Sequence, residues 1–342
     1  MKAIRHVNIP IFIPHLGCRN QCVFCNQRAI SGVKSFDLSK VRAQIELRLS
    51  TRNPEDVYEI AFFGGSFTGI DRELMISLLA LAKEYIDKGE VKFLRCSTRP
   101  DYIDGEILDI LAAYGVRTIE LGLQSTSDKV LLASKRGHSS EQEFKAASLI
   151  VERGFTLGGQ MMIGLPESTP DDEVKTALDI VRMGASEARI YPTLVFSETE
   201  LKEMQSSSLY TPLTLDDAVK RSAAALKIFL ENGIKVLRVG LCESDGLRND
   251  GTLIAGPYHP AIGELVFSQF YYDKIVTEIK NKNIKSDSDI VIYCSAHETS
   301  KIVGHNKANR LRLKSEYGIN IVKIIEHFVS GNDIAIVSRE RT

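Results

Sequence analysis

Membrane-spanning and secretory features are lacking from this sequence of 342 residues. Its apolar runs are closer to the length of a strand than to the roughly 20 residues that cross a bilayer. The segment Met1–Pro14 has no basic stretch followed by an apolar one and continues directly into a strand-like pattern. We therefore expect a protein that has no membrane contact and works in the reducing cytoplasm.

An excess of charge is lacking as well, since the formal net charge is −1. The chain as a whole thus has no electrostatic reason to bind a polyanion, and any contact with nucleic acid requires a local basic face. Low-complexity tracts and repeats beyond a β/α alternation are also absent. With 44% hydrophobic and 25% charged residues, the composition is globular and allows one large core with a smaller appended domain.

Cysteine is infrequent, but three of the six cysteines, Cys18, Cys22 and Cys25, stand within eight positions. In a reducing compartment such a cluster indicates metal ligands rather than disulfides. Thiolates select zinc or iron–sulfur clusters, and a cubane normally takes four of them. Three would leave one iron open to chelate S-adenosylmethionine (SAM), so that an electron from the cluster could release a 5′-deoxyadenosyl radical. Phe24 could then pack against the adenine.

A structural zinc site is the competing interpretation, because His15 could supply a fourth, nitrogen ligand in tetrahedral geometry. Zinc sites of this kind usually pair ligands from two separate knuckles, whereas these cysteines follow one another along one loop. The cluster interpretation is therefore preferred.

Short runs rich in Val, Ile and Phe alternate with amphipathic stretches, which predicts six β/α units around a parallel sheet. The predicted strands are His6–Ile13, Tyr58–Phe63, Val91–Ser97, Arg117–Leu123, Thr156–Ile163 and Ala188–Val195. The predicted helices are Leu38–Thr51, Arg72–Lys88, Asp104–Tyr114, Glu141–Arg153, Pro170–Met183 and Leu215–Asn232. Helix start and stop signals include Ser140, Thr169, Gly154, Gly184 and Gly233. The expected fold is α/β, an incomplete (β/α)6 TIM-like barrel with its reactive groups at the carboxyl ends of the strands.

After a seventh predicted strand, Lys235–Gly240, glycines and prolines punctuate the stretch Glu243–Ile262. We place a domain boundary there, giving a barrel domain over residues 1–243 and a small α+β C-terminal domain over residues 244–342. The elements predicted in the second domain are helices Gly263–Lys280 and Asn306–Tyr317 and strands Ile290–Tyr293, Ile319–Ile324 and Ile334–Val337.

Polar residues at the predicted strand ends are candidates for the barrel mouth. Ser97 and Arg99 follow the third strand, and Arg99 could bind a carboxylate or phosphate bidentately or remain a solvated surface residue. Glu120 and Gln124 interrupt an apolar strand, so we expect them to face the cavity rather than a packed wall. Tyr191 could place its hydroxyl at the mouth.

The cysteine spacing, with an aromatic residue before the third cysteine and a position after the first strand of a partial barrel, resembles the radical SAM superfamily. In that superfamily the glycine-rich end of the second strand offers backbone carbonyls to the amino group of SAM. The resemblance implies this role for Gly64 and Gly65, which alone would indicate only a tight turn. Ser66 follows them where the family often has an acidic or hydroxyl residue.

Several strings resemble the radical domain of the Elongator catalytic subunit, which modifies wobble uridines of transfer RNA, within the group that also contains the MiaB-like and NifB-like proteins. These strings are Thr98–Tyr102, Glu120–Ser125, Arg136–His138, Met161–Pro166 and Ile190–Val195. The resemblance extends over about Ile9–Glu203. This chain differs from that subunit in the spacing between its first two cysteines, which is wider in the subunit. The roughly one hundred residues after Glu243 are also too few for that subunit's acetyltransferase domain.

The same resemblance, extended to the oxygen-independent coproporphyrinogen dehydrogenases, implies that Gln124 and Arg136 contact the ribose and carboxylate of SAM. Gln160 stands where that group has an acidic residue that holds the ribose. The implied cofactors are a [4Fe–4S] cluster and SAM, with an external electron donor of the flavodoxin or ferredoxin type.

The substrate suggested by the resemblance is RNA, specifically a transfer-RNA base. A basic run near the C-terminus could form a cationic helix edge for phosphates, or be only a solvated helix face. Its residues are Lys301, Lys307, Arg310, Arg312 and Lys314. The alternatives are a radical enzyme acting on a small molecule or tetrapyrrole and a zinc-stabilised RNA-binding protein.

Overall fold

The computed structural model describes residues 5–13, 16–18, 21–26, 36–241, 252–327 and 331–340. Seven parallel strands make up its main sheet: β1 (His6–Ile13), β2 (Val57–Gly64), β3 (Phe93–Thr98), β4 (Val116–Gln124), β5 (Thr156–Ile163), β6 (Glu187–Pro192) and β8 (Lys235–Val239). They are hydrogen-bonded in that order, with β1 and β8 at the two ends. This arrangement confirms the predicted incomplete barrel.

Helices alternate with the strands along the chain and continue into the C-terminal part. They are α1 (Val41–Leu49), α2 (Arg72–Asp87), α3 (Gly105–Ala113), α4 (Asp128–Ala133), α5 (Ser140–Glu152), α6 (Pro170–Arg182), α7 (Glu200–Ser206), α8 (Leu215–Glu231), α9 (Ile262–Asn281), α10 (Thr299–Val303) and α11 (Ala308–Tyr317). The sequence did not predict α4, α7 and α10. Each has seven residues or fewer, which is too short for a helical period to be recognised.

Local capping chemistry explains where two of the helices begin. The Thr169 side chain accepts from the backbone N–H of Asp172 and caps α6, as predicted. For α5 the cap is Ser139, whose hydroxyl accepts from the N–H of Gln142, whereas the predicted cap Ser140 is already the first helical residue. The predicted glycines after α5, α6 and α8 all have positive φ, which a side chain would disfavour.

The barrel interior contains charged residues. Arg95 on β3 donates to Glu59 on β2 at 2.9 Å and to Glu187 on β6 at 3.0 Å. Because β3 and β6 are not neighbours in the sheet, this contact requires the sheet to curl around the arginine side chain. Burying these charges is tolerable because each carboxylate has a guanidinium partner.

The C-terminal part packs on the barrel and shares its hydrophobic core. Val266 and Tyr271 of α9 belong to the same buried cluster as the barrel strands and α8. Beyond α9, β10 (Ser288–Cys294) pairs parallel with β11 (Asn320–Glu326) and antiparallel with β12 (Ile334–Glu340). The predicted boundary after residue 243 lies outside the described residues.

The predicted strand Ala188–Val195 is shorter in the structure, because β6 ends at Pro192. Thereafter β7 (Val195–Phe196) leaves the sheet and pairs antiparallel with β9 (Leu253–Ala255).

In the described part of the chain, no helix combines the length and the apolar character needed to span a bilayer.

Candidate active site

A cavity of about 450 Å³ opens at the carboxyl ends of the first five strands. Its lining residues are Cys18, Gln21, Cys22, Phe24, Cys25, Asn26, Gly64, Gly65, Ser66, Ser97, Thr98, Arg99, Gly122, Gln124, Arg136, Gln160 and Glu198. The fold therefore brings together every predicted site residue except Glu120 and Tyr191. Most of these residues come from the ends of five strands, as expected for a barrel mouth, whereas Arg136 follows the helix α4.

The cysteine loop is held by backbone contacts on both sides. Val23 donates its N–H to the carbonyl of Ser134 at 3.2 Å, and its own carbonyl accepts from the N–H of Leu201 at 2.8 Å. The Asn26 side chain donates to the carbonyl of Ser197 at 3.0 Å. The loop is thus clamped between the turn after α4 and the segment that begins α7.

Glycines allow the cysteine loop to approach the end of β2. A Cβ atom on Gly65 would lie 2.1 Å from the carbonyl oxygen of Leu16, and one on Gly17 would lie 2.2 Å from that of Ser66. Gly64 has a φ of +112°, and a Cβ atom there would lie 2.7 Å from the carbonyl oxygen of Ile13 at the end of β1. These contacts explain why the strand end requires glycine, independently of any ligand.

Two guanidinium groups point at one of the three thiols. Arg136 approaches the Cys22 Sγ with its Nη1 at 3.1 Å, and Arg99 approaches it at 3.9 Å. Both arginines are buried. The Cys18 Sγ lies 4.0 Å from the Ser66 hydroxyl. N–H donors around a sulfur stabilise negative charge on it, which suits a metal-binding thiolate.

Arg99 is not a solvated surface residue. It holds a carboxylate bidentately, as its chemistry allows, but that carboxylate belongs to Asp101, at 2.8 and 3.0 Å. It also donates to the backbone carbonyl of Arg136. Burial alone would raise the pKa of Asp101, but hydrogen bonds from His138 and Arg99 hold that pKa well below its ordinary range. Arg99 is therefore fixed before any ligand binds.

A buried imidazole and carboxyl group lie behind Arg99. The His138 Nδ1 is 3.4 Å from the Arg99 Nη2, and its Nε2 is 3.0 Å from Glu143 Oε1. Burial raises the pKa of Glu143 to about 7. Sequence reasoning missed Asp101, His138 and Glu143. Glu143 did carry a signal, because it occupies the buried stripe of α5 together with Ala146, Ala147 and Ile150.

Gln124 and Arg136 have unused hydrogen-bonding capacity at the cavity. Within the described part of the chain, the buried Gln124 Oε1 and Arg136 Nε have no hydrogen-bond partner. Gln124 also adopts a positive φ of 73°, a conformation that costs free energy in a residue with a side chain. Unsatisfied buried polar atoms in a cavity indicate a place where a polar ligand binds.

Glu120 lies below the cavity instead of lining it. Its carboxylate accepts from Arg95 at 2.8 Å, from Arg189 at 2.6 and 3.1 Å and from Gln160 at 2.9 Å. Burial would raise its pKa, but the neighbouring cations lower it. Tyr191 is also absent from the lining, and it interacts with Arg189. The prediction that Glu120 faces the cavity is wrong because arginines on other strands satisfy it inside the barrel.

The site fits a cluster held by three cysteines. Among the described residues, no three His, Cys, Asp or Glu side chains form a group that could hold a metal ion as they stand. The three cysteines nevertheless line one cavity, where two guanidinium groups approach Cys22 and the oxygen of Gln124 is unpaired. His15, the fourth ligand of the competing zinc site, lies outside the described residues.

Three of the five C-terminal basic residues make contacts within their own domain. Lys301 pairs with a carboxylate of the preceding turn at 2.8 Å. Arg310 donates to a backbone carbonyl of β11 at 2.6 Å, and Arg312 donates to a side-chain amide of α9 at 2.9 Å. Among the described residues, Lys307 and Lys314 are the two members of the run that have neither an ion pair nor a side-chain hydrogen bond. The sequence could not show that the others serve the domain's own packing.

Sequence comparison identifies two family matches. The family described as the Radical SAM superfamily matches residues 12–180, and the family described as the Radical_SAM C-terminal domain matches residues 185–272. An uncharacterised protein of Methanocaldococcus jannaschii is 30% identical over 221 residues, covering 61% of this chain and 67% of that protein.

A named relative and a solved structure agree with these matches. The tRNA uridine(34) acetyltransferase of Methanocaldococcus infernus is 28% identical over 201 residues, covering 53% of this chain but only 38% of that protein. Archaeal Elp3 from Methanocaldococcus infernus with an N-terminal deletion superposes with a TM-score of 0.62 at 21% identity, covering 83% of this chain and 65% of that chain. The structural likeness concerns the fold alone.

Proposed function

Because the chain belongs to the radical SAM superfamily, we propose that Cys18, Cys22 and Cys25 hold a [4Fe–4S] cluster and that the cavity beside them binds SAM. When bound, the reduced cluster would supply the electron for the cleavage of SAM to methionine and a 5′-deoxyadenosyl radical. The observation that carries this proposal is the convergence of the cysteine loop, two buried arginines and unpaired polar atoms on one cavity.

The chain's own residues would hold the cysteine loop in place, offset the negative charge at the cluster ligands and orient SAM. The clamp on Val23 keeps the cysteine loop in place, Gly17 and Gly65 let that loop pack against the end of β2, and Gly64 leaves room for the backbone of Ile13. Arg136 and Arg99 offset negative charge at Cys22. Phe24 lines the cavity and offers an apolar face to an adenine ring.

For the substrate we propose RNA, specifically a transfer-RNA base, in a cytoplasmic enzyme reduced by a flavodoxin-type or ferredoxin-type donor. The support is the likeness to a tRNA uridine(34) acetyltransferase. The chain covers 38% of that protein, so acyl transfer is not part of the proposal. Lys307 and Lys314 are the residues of the C-terminal run that remain for phosphate contacts.

Electron paramagnetic resonance tests the cofactor chemistry. The protein is reconstituted anaerobically with iron and sulfide, reduced with dithionite, and measured with and without SAM. We expect a cubane signal that changes on SAM addition, since only an open iron can respond. Cys22→Ser should abolish the signal, whereas Cys294→Ser, a buried thiol far from the cavity in sequence, should keep it. Stoichiometric zinc and no iron would reject the proposal.

Binding of unmodified transfer RNA at several salt concentrations tests the substrate class. We expect affinity to fall steeply with salt and to weaken in a Lys307→Ala/Lys314→Ala variant, because each removes a phosphate contact. A Lys220→Ala/Lys227→Ala variant on α8 is the control, since it removes the same charge elsewhere. No binding at low salt would reject RNA and favour a small-molecule substrate.

A further inference from the structure

Both N–H groups of the Gln160 side chain are engaged below the cavity. The Nε2 atom donates to Ser97 Oγ at 3.2 Å and to Glu120 Oε2 at 2.9 Å. A side-chain amide has two N–H donors and one carbonyl oxygen. Because Gln160 lines the cavity while its donors are engaged, the group it offers to a ligand is its amide oxygen.

Glu120 sets the orientation of the Gln160 side-chain amide. It is 1% exposed and accepts from two arginines, Arg95 and Arg189, which keep it ionised. An ionised carboxylate only accepts hydrogen bonds. The amide nitrogen of Gln160 must therefore turn toward Glu120, and the amide oxygen away from it.

A second amide oxygen lines the same cavity. Gln160 on β5 is in register with Gly122 on β4, two residues before Gln124, whose Oε1 is buried and unpaired in the described part of the chain. Two neutral acceptors suit a ligand that presents hydroxyl donors rather than anionic groups. The vicinal diol of a ribose has this character.

We propose that Glu120 is a positioning residue, which orients Gln160 so that the amide oxygen accepts a hydrogen bond from a ribose hydroxyl of the bound nucleoside. The inference rests on the proposed function, since it assumes that the cavity takes SAM. It also gives a reason for an amide at position 160. A carboxylate there would face Glu120 within hydrogen-bonding distance, in an interior where three carboxylates, two of them buried, already face two arginines.

The test compares nucleosides on the reconstituted enzyme under anaerobic conditions. Adenosine, 2′-deoxyadenosine and 3′-deoxyadenosine compete against SAM in titration calorimetry. For the wild type we expect at least one deoxynucleoside to bind about 3-fold to 10-fold more weakly than adenosine, the effect of one hydrogen bond. In Glu120→Gln the amide of Gln160 is free to turn. The ratio of the dissociation constants of the deoxynucleoside and adenosine should therefore fall toward one.

Glu59→Gln is the matched control, because it also removes a carboxylate partner of Arg95 but makes no contact with Gln160. It should keep the preference for adenosine. Gln160→Glu should lower the melting temperature of the cluster-free protein at pH 8, and adding Glu120→Gln should restore it. An unchanged preference in Glu120→Gln would overturn this inference alone. Failure of the wild type to bind SAM would overturn the proposed function as well.

Discussion

Arg136 and Cys22 are 114 residues apart in the chain, yet the arginine Nη1 lies 3.1 Å from the cysteine Sγ. The guanidinium also donates to the backbone carbonyl of Gly122, which ties it to the end of β4. Arg136 thereby links Cys22, on the loop after β1, to β4 at the centre of the sheet. This contact makes Arg136 a candidate for controlling the charge at the cluster as well as for binding SAM.

Replacing Arg136 with Gln should make the midpoint potential of the reconstituted cluster more negative, because a cation beside a sulfur ligand is lost. We expect SAM cleavage to slow by about 10-fold to 100-fold. Redox titration followed by electron paramagnetic resonance measures the potential. Arg117→Gln, an exposed residue outside the cavity, has the same charge change and should leave the potential unaltered. Equal potentials in all three proteins would contradict this role.

Replacing Gly65 with Ala should displace the cysteine loop, since the new Cβ would meet the Leu16 carbonyl oxygen at 2.1 Å. We expect a loss of about 1–3 kcal/mol in stability from overpacking and less iron bound per chain. Gly263→Ala, where the nearest atom would be 3.5 Å away, is the control and should retain full iron content. Urea unfolding and iron analysis provide the two readings, and normal iron binding by the Gly65 variant would disprove the expected displacement.

Replacing Leu201 with Ala should loosen the clamp on the cysteine loop. Leu201 is fully buried against Val23, Val195 and Tyr210. The cavity left behind should cost about 2–5 kcal/mol and slow cluster assembly. Leu209→Ala, on a side chain that is 75% exposed, should change neither property. Denaturation curves and the rate of iron–sulfur reconstitution test this, and unaltered reconstitution would show that the clamp is dispensable.

Glu143 should make stability depend on pH. Burial raises its pKa from 4.5 to about 7, so the folded state holds a proton that the unfolded state has already released. Its contribution to stability is therefore full below about pH 4.5 and declines as the pH rises to about 7. In Glu143→Gln this decline should disappear. The measurement is the free energy of unfolding at pH 5, 6, 7 and 8.

Glu141→Gln removes an exposed carboxylate from the first turn of the same helix and is the control for this comparison. It should follow the wild-type pH profile. Parallel profiles for the wild type and Glu143→Gln would mean that Glu143 does not titrate in this range.

Features that depend on neighbours in sequence were predictable. The alternation of strands and helices predicted the partial barrel, and the cysteine spacing and the glycine pair at the end of β2 marked two of the segments that line the cavity. The bounds of β1 and β5 were correct to the residue. Such features follow from periodicity and from the conformations open to glycine, which act over a few residues.

Only the tertiary structure decided which polar groups face the cavity. Glu120 interrupts an apolar strand as a cavity residue would, but the curl of the sheet brings it to Arg95 and to Arg189, 25 and 69 residues away. The sequence left Arg99 open between holding a carboxylate or phosphate and lying solvated at the surface, and the structure pairs it with Asp101 of the same chain. The sequence by itself determined the elements and the cysteine loop, whereas the pairing of buried charges depended on strand curvature, which local pattern does not encode.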